Sequence, residues 1–235
     1  MRCFASYPFF YRNQGKSGEV AFSVKIRYTK SVFCGIEVKP VNQKTQMTKQ
    51  ILAESLKKLL PHHSFEKITI KDITDAAGFI RPTFYNHFKD KYDLVEWIFT
   101  EEVIRPGEQL FDVGLFREGI RLMLANMEKE KDFYVRAVKI QGQNSFRDIV
   151  FQSFVTLIQK VFAKHTPFPE TVPHFFRPEI LAEYYANAET FLLMKWLESG
   201  MPISAEEVEK AHWSLITVSF EDVVKEVSGE EKENR

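Results

Sequence analysis

Residues 68–94 read ITIKDITDAAGFIRPTFYNHFKDKYDL, and this stretch decides the fold. Thr69-Ile70-Lys71-Asp72 has the form of a capping box, in which the threonine oxygen and the acid three residues on satisfy each other's orphan backbone donors. A short helix over 70–77 follows, and Gly78 can take the left-handed conformation that ends a helix. After a brief turn, Pro82 sits in the first turn of the next helix, where its missing N–H costs nothing. Two short helices joined by so tight a turn form a helix-turn-helix, and the second can enter a DNA major groove. Its apolar positions are few: Phe84 and, after it, Phe88 turn inward. Arg81, Thr83, Tyr85, Asn86 and His87 are left to face outward, a surface of aromatics and one arginine instead of the Glu and Lys of a solvated face.

Working outward, the spacing of Ile51, Leu52, Ser55, Leu56 and Leu59 predicts a helix over 48–60, with Thr48 as its cap and Pro61 as its stop. Lys91 to Ile104 reads as a helix closed by Pro106-Gly107. The remainder reads as helices at 115–128, 132–140, 145–164, 178–199 and 204–227, and no convincing strand interrupts them. The predicted class is therefore all-α: an amino-terminal three-helix DNA-binding domain followed by a carboxy-terminal helical bundle. Ile180, Leu181, Tyr184, Tyr185, Ala188, Phe191 and Leu192 form one amphipathic stripe, and Val208, Ala211, Leu215, Ile216, Val223, Val224 and Val227 form another.

Residues 1–46 differ. Val20, Phe22, Val24, Ile26 and Tyr28 alternate with polar or small residues, the period of a half-buried strand, and 32–38 can pair back as a hairpin. An isolated hairpin is marginal in water, so a poorly packed, basic extension is expected. The expected domains are 1–46 for this extension, 47–95 for the helix-turn-helix, 96–228 for the regulatory and dimerisation domain, and 229–235 for a polar tail. Met47 is a candidate alternative start, and a protein beginning there is expected to fold and bind DNA.

The 235 residues carry no net charge, yet the distribution is graded. Residues 1–46 hold 8 Lys+Arg against 2 Asp+Glu, a net +6; residues 47–99 are at +1 and residues 100–235 at −7. A polyanion is tolerated at the front and repelled at the back. The two cysteines, Cys3 and Cys34, are too few for a disulfide framework, which argues for a reducing cytoplasm. No apolar run reaches the roughly 18–20 residues that span a bilayer, so no membrane span is expected; no cofactor is expected either. No nucleophile elbow or phosphate loop appears. His62-His63 lacks metal-ligand spacing, and His165, Glu170 and His174 lie in a proline-rich loop, so no catalytic or metal site is expected.

The segment resembles the DNA-binding domain of the TetR/AcrR family of bacterial transcription regulators. Thr69, Ile70, Ile73, Ala77 and Gly78, then Thr83, Phe84, Tyr85, His87 and Phe88, then Lys91 and Leu94 match in identity and spacing. Beyond it, Trp97-Ile98, Asp132-Phe133-Tyr134, Gly142-Gln143-Asn144-Ser145 and Trp196-Leu197-x-x-Gly200 look like the subgroup typified by the dihydroxyacetone-kinase operon regulator. The resemblance implies that Thr69, Tyr85, His87 and Lys91 hold phosphates, and that Arg81, Pro82, Thr83 and Asn86 face the groove; Thr48 joins the DNA-binding set. Ile80 departs from the small polar cap usual before the recognition helix. The expected function is regulation of transcription by a homodimer on a (pseudo)palindromic double-stranded DNA operator. A small-molecule effector or a coactivator protein would act on the carboxy-terminal domain, with a purely protein-binding adaptor as the alternative. The expected ligand contacts are Gln141, Gln143, Asn144, Tyr184 and Tyr185, and the expected dimer contacts are Tyr184, Phe191, Leu215 and Val223.

Overall fold

A computed structural model describes residues 43–142, 144–165 and 172–217. The hairpin expected at 20–38, the polar tail, Gln143, Glu170, Val223 and the end of the last expected helix all lie outside the described residues. Those described are helical throughout, with no strand among them.

The amino-terminal part consists of α1 (Gln43–Leu59), a 3-10 turn (Phe65–Lys67), α2 (Ile70–Ala77), α3 (Arg81–Tyr85) and α4 (Lys91–Phe99). Helix α1 begins ahead of the expected start, because nothing in Gln43 to Met47 breaks a helix. Thr48 accordingly caps nothing: its hydroxyl sits inside α1 and donates to the Lys44 carbonyl at 3.0 Å. The helices close on one core, in which Leu52, Leu56, Ile73, Phe84, Leu94 and Ile98 are wholly buried.

Pro106 does not close the fourth helix. The chain widens into a π-turn at Thr100–Ile104 and continues directly as α5 (Arg105–Phe111). In an α-helix the proline ring would collide with the carbonyl four residues back, that of Glu102, and leave it without a donor. Here the Arg105 amide bonds to the Thr100 carbonyl across the wider turn, and Asn126 donates its side-chain amide to the Glu102 carbonyl at 2.8 Å. The π-turn and Asn126 together let the helix run through a proline.

Gly107 is likewise a contact point and not a breaker. Helix α6 (Phe116–Lys129) crosses α5 so closely that a Cβ on Gly107 would strike the Met123 thioether, and one on Gly119 would strike the Phe111 ring. Beyond lie α7 (Lys131–Ala137), α8 (Phe146–His165), a 3-10 turn (His174–Phe176), α9 (Pro178–Glu198) and α10 (Ala205–Thr217). Helices α8 and α9 pack together, α10 packs on α6, and Phe99, Phe133, Tyr134 and Phe146 fill the centre. The α9–α10 connection is pinned: the Trp196 indole donates to the Ile203 carbonyl at 2.9 Å and Lys131 to the Met201 carbonyl at 2.9 Å.

Candidate DNA interface and cavity

The turn between α2 and α3 is fixed at both ends by local chemistry. Thr69 accepts from the Asp72 amide at 3.2 Å while Asp72 accepts from the Thr69 amide at 2.8 Å, the reciprocal cap expected from sequence. The same backbone and side-chain hydrogen bonds from Thr69 hold the Asp72 carboxyl below its ordinary range. Gly78 ends α2 at φ 69°, ψ 27°, where a side chain would be strained. Ile80 offers no side-chain oxygen to α3. The helix therefore starts on Pro82 and on the bond from the Thr83 amide to the Ile80 carbonyl, 2.9 Å. An aspartate not singled out from sequence caps α4: Asp90 accepts from the amides of Tyr92 and Asp93 at 2.8 and 2.9 Å. An acid ahead of an apolar run was the available signal.

Helix α3 turns Phe84 and Phe88 into the core and leaves Arg81, Pro82, Tyr85 and Asn86 exposed, with Thr83 and His87 half-buried. Lys49 from α1 lies over the Phe88 ring, 5.2 Å from its centre, and braces it from behind. The structure thus presents the outward set on α3 and the two residues that follow it, Asn86 and His87, with Phe84 and Phe88 packed behind them.

Lys91 and Thr69 are differently placed from the free phosphate contacts that the resemblance implied. The Lys91 ammonium donates to the carbonyls of Phe65, Ile68 and Glu66 at 2.6, 2.9 and 3.2 Å, so all three of its hydrogens are taken. Burial also lowers its pKa. Thr69 spends its hydroxyl proton on Asp72, at 2.7 Å. Both residues fasten the approach to α2. Lys91→Met is accordingly expected to lower the free energy of unfolding by about 2 kcal/mol, since three carbonyls lose their donor. Denaturant titration measures this, and the salt dependence of DNA binding should change little.

A cavity of about 380 Å³ lies in the carboxy-terminal part, among α5, α6, α8, α9 and α10. Its wall is almost wholly apolar, including Val103, Phe116, Met123, Phe154, Leu157 and Val208. Of the residues expected to contact a ligand, Tyr185 lines it. Tyr184 points outward and is exposed, so it makes no wall. Gln141 and Asn144 are exposed in the connection ahead of α8, and Asn144 borders a separate depression with Lys89, Tyr92 and Asp148. They miss the cavity because its wall on α8 comes from Phe154 onward, well past the connection they occupy. The cavity's other two polar residues, Glu189 and His212, were not singled out from sequence: His212 Nε2 lies 2.6 Å from Glu189 Oε1. The two are 23 positions apart, on different helices, and no spacing rule joins them.

Comparison with known proteins agrees with this geometry. Residues 52–98 match the family described as bacterial regulatory proteins, tetR family, and residues 116–217 match a transcriptional regulator C-terminal region of the same family. The chain belongs to the TetR family. Its members are regulators of transcription and not enzymes, and DNA binding comes with that membership.

Among relatives, the dhaKLM operon transcriptional activator DhaS of Lactococcus lactis is 25% identical over 119 residues, covering 51% of this chain and 63% of DhaS. The transcriptional repressor KstR2 of Mycolicibacterium smegmatis is 25% identical over 160 residues, covering 63% of this chain and 78% of KstR2. The chain thus spans less than two thirds of DhaS, and the family fold serves activators and repressors alike. In three dimensions the dihydroxyacetone kinase operon activator DhaS superposes with a TM-score of 0.53 at 20% identity, covering 73% of this chain and 94% of that one. No helix among the described residues is long and apolar enough to cross a membrane.

Proposed function

We propose that the protein is a homodimeric TetR-type regulator that binds a (pseudo)palindromic operator through α3, with binding modulated by a small molecule in the carboxy-terminal cavity. The observation that carries the DNA reading is the face of α3. Arg81, Thr83, Asn86 and His87 have no side-chain hydrogen-bond partner among the described residues, while Phe84 behind them is wholly buried. Contacts to phosphate set the register, and contacts to base edges carry sequence. Arg81, with a planar fork of donors, is assigned a guanine, and Asn86 an adenine; Tyr85 and His87 flank them as phosphate contacts.

Dimerisation supplies the second half-site. Tyr184, Phe191 and Leu215 are 68%, 57% and 57% exposed, an apolar face on α9 and α10 that a soluble monomer does not ordinarily leave to water. Two copies joined there would set two α3 helices on one side of a duplex, about one helical turn or a multiple of it apart. The cavity, walled by side chains of five helices, favours a small effector over a coactivator protein.

Selection of bound genomic fragments tests the reading, and two inverted half-sites are expected. Arg81→Ala should relax the preference at one position in each half-site, by about 1–3 kcal/mol. An unchanged selected motif would remove Arg81 from direct readout.

A further inference from the structure

Within the apolar cavity one polar pair stands out, and its bonding fixes the kind of ligand that completes it. His212 is buried, at 4% exposure. Its Nε2 meets Glu189 Oε1 at 2.6 Å, while its Nδ1 is buried with no partner. A doubly protonated ring would bury an orphan N–H at Nδ1, so the neutral tautomer, with the proton on Nε2 donated to Glu189, suits the site. The pair then carries one negative charge, held by the carboxylate. No lysine or arginine lines the cavity. Arg117, the nearest cation in sequence to the wall residue Phe116, is engaged with Glu209 at 2.5 Å. Glu189 is the only acid among the cavity's lining residues and its side chain is 25% exposed, so a ligand that displaces water from it must bring a cation or a strong donor to keep the carboxylate satisfied.

We propose that the cavity binds an apolar organic monocation, a lipophilic amine whose ammonium sits on the Glu189 carboxylate and whose hydrocarbon body fills the space between Phe154, Leu157 and Met123. This rests on the reading of the cavity as the effector site and specifies its chemistry. His212 acts as a positioning residue: its N–H turns the carboxylate and leaves the second carboxylate oxygen for the ligand. An anionic acyl chain of the same length would fit the walls and meet repulsion at the head.

The test uses the full chain and three probes of equal length, decylammonium, decanol and decanoate, kept below the concentrations at which they aggregate and titrated by calorimetry. Decylammonium should bind roughly tenfold or more tightly than decanoate, with decanol between them. In Glu189→Gln, decylammonium should fall to the level of decanol while decanol binding stays as it was. Ile158→Trp, at a wall position only partly buried, should weaken all three alike and so places the binding in the cavity. Circular dichroism melts of both variants establish that they are folded. Decanoate binding as tightly as decylammonium, or a preference that survives Glu189→Gln, overturns the proposal. Failure of all three probes overturns it and the effector reading together. Decylammonium binding with the expected preference but no change in operator affinity keeps the ligand class and removes the regulatory role.

Discussion

Phe191→Asp combined with Leu215→Asp is expected to give a folded monomer that no longer binds the operator, although α3 is untouched. Both side chains are more than half exposed in the single chain, so the aspartates meet water there and the fold should tolerate them. In a dimer they would be buried in pairs, and obligate homodimer faces resemble a core cut in half, where an unpaired charge has no place. Around them the same face carries Asn187, Ala188, Ala211 and Ser214, all exposed. These small side chains allow two helix pairs to approach closely. Loss of the dimer removes the second half-site. A bivalent complex owes its affinity to the second contact being made at high effective concentration, and detachment of one arm typically costs on the order of 10²–10⁴ in avidity. Light scattering reads the mass, and a fluorescence titration with operator DNA reads the affinity. A wild-type protein that is monomeric at micromolar concentration, alone and on its operator, would end the dimer proposal.

The contrast between what the sequence disclosed and what it hid follows from the range of each interaction. Thr69, Asp72, Gly78 and Pro82 act on neighbours within four positions, so their roles in the helix-turn-helix were readable one residue at a time. Phe84 and Phe88 were assigned inward as the apolar positions of that segment, and both are buried. Pro106 was misread because the rule for proline presumes α-helical geometry; the π-turn that relaxes it depends on Asn126, 24 positions from the carbonyl it caps. Lys91 looked like a free cation because its partners are backbone carbonyls 23 to 26 positions away, and backbone atoms leave no mark in a side-chain pattern. The cavity residues failed for a related reason. Polar residues gathered in a connection drew the eye, whereas the pair that faces the cavity joins α9 to α10. Exposed and cavity-lining positions were told apart only by packing: on α9, Tyr184 and Phe191 face outward while Tyr185 and Leu192 line the cavity.

Lys57→Met should be strongly destabilising. The Lys57 side chain is only 7% exposed, and its ammonium holds three carboxylates: Glu54 at 2.8 Å, Glu102 at 3.0 Å and Glu130 at 3.5 Å. Desolvation draws its pKa down, but the hydrogen bonds to Glu54 and Glu102 outweigh this and hold it above the ordinary value. Removing one partner of a buried ion pair typically costs about 3–5 kcal/mol. The low end, about 3 kcal/mol, applies here because Glu54 and Glu130 are partly open to water. Lys57→Met with Glu102→Gln should recover much of that loss, since the buried charge goes with its partner.

The pH dependence carries a definite sign. Desolvation raises Glu102 above its ordinary value of 4.5 even with Lys57 present, and removal of the ammonium raises it further. A carboxylate raised in the folded state binds its proton more tightly there than in the unfolded chain. Stability of the variant therefore falls as pH rises from 4.5 through the raised value, and returns as pH is lowered across that window. Denaturant melts across that range read the slope, and a flat profile would show that water already screens Glu102. The cluster also joins the parts of the protein that function must join. Lys57 belongs to α1, which packs on α2 of the helix-turn-helix, and Glu102 precedes Val103, a wall of the cavity. Variants that retain the fold but loosen this attachment should lose operator affinity if the protein binds as the proposed dimer, in which each recognition helix must be held at its own half-site.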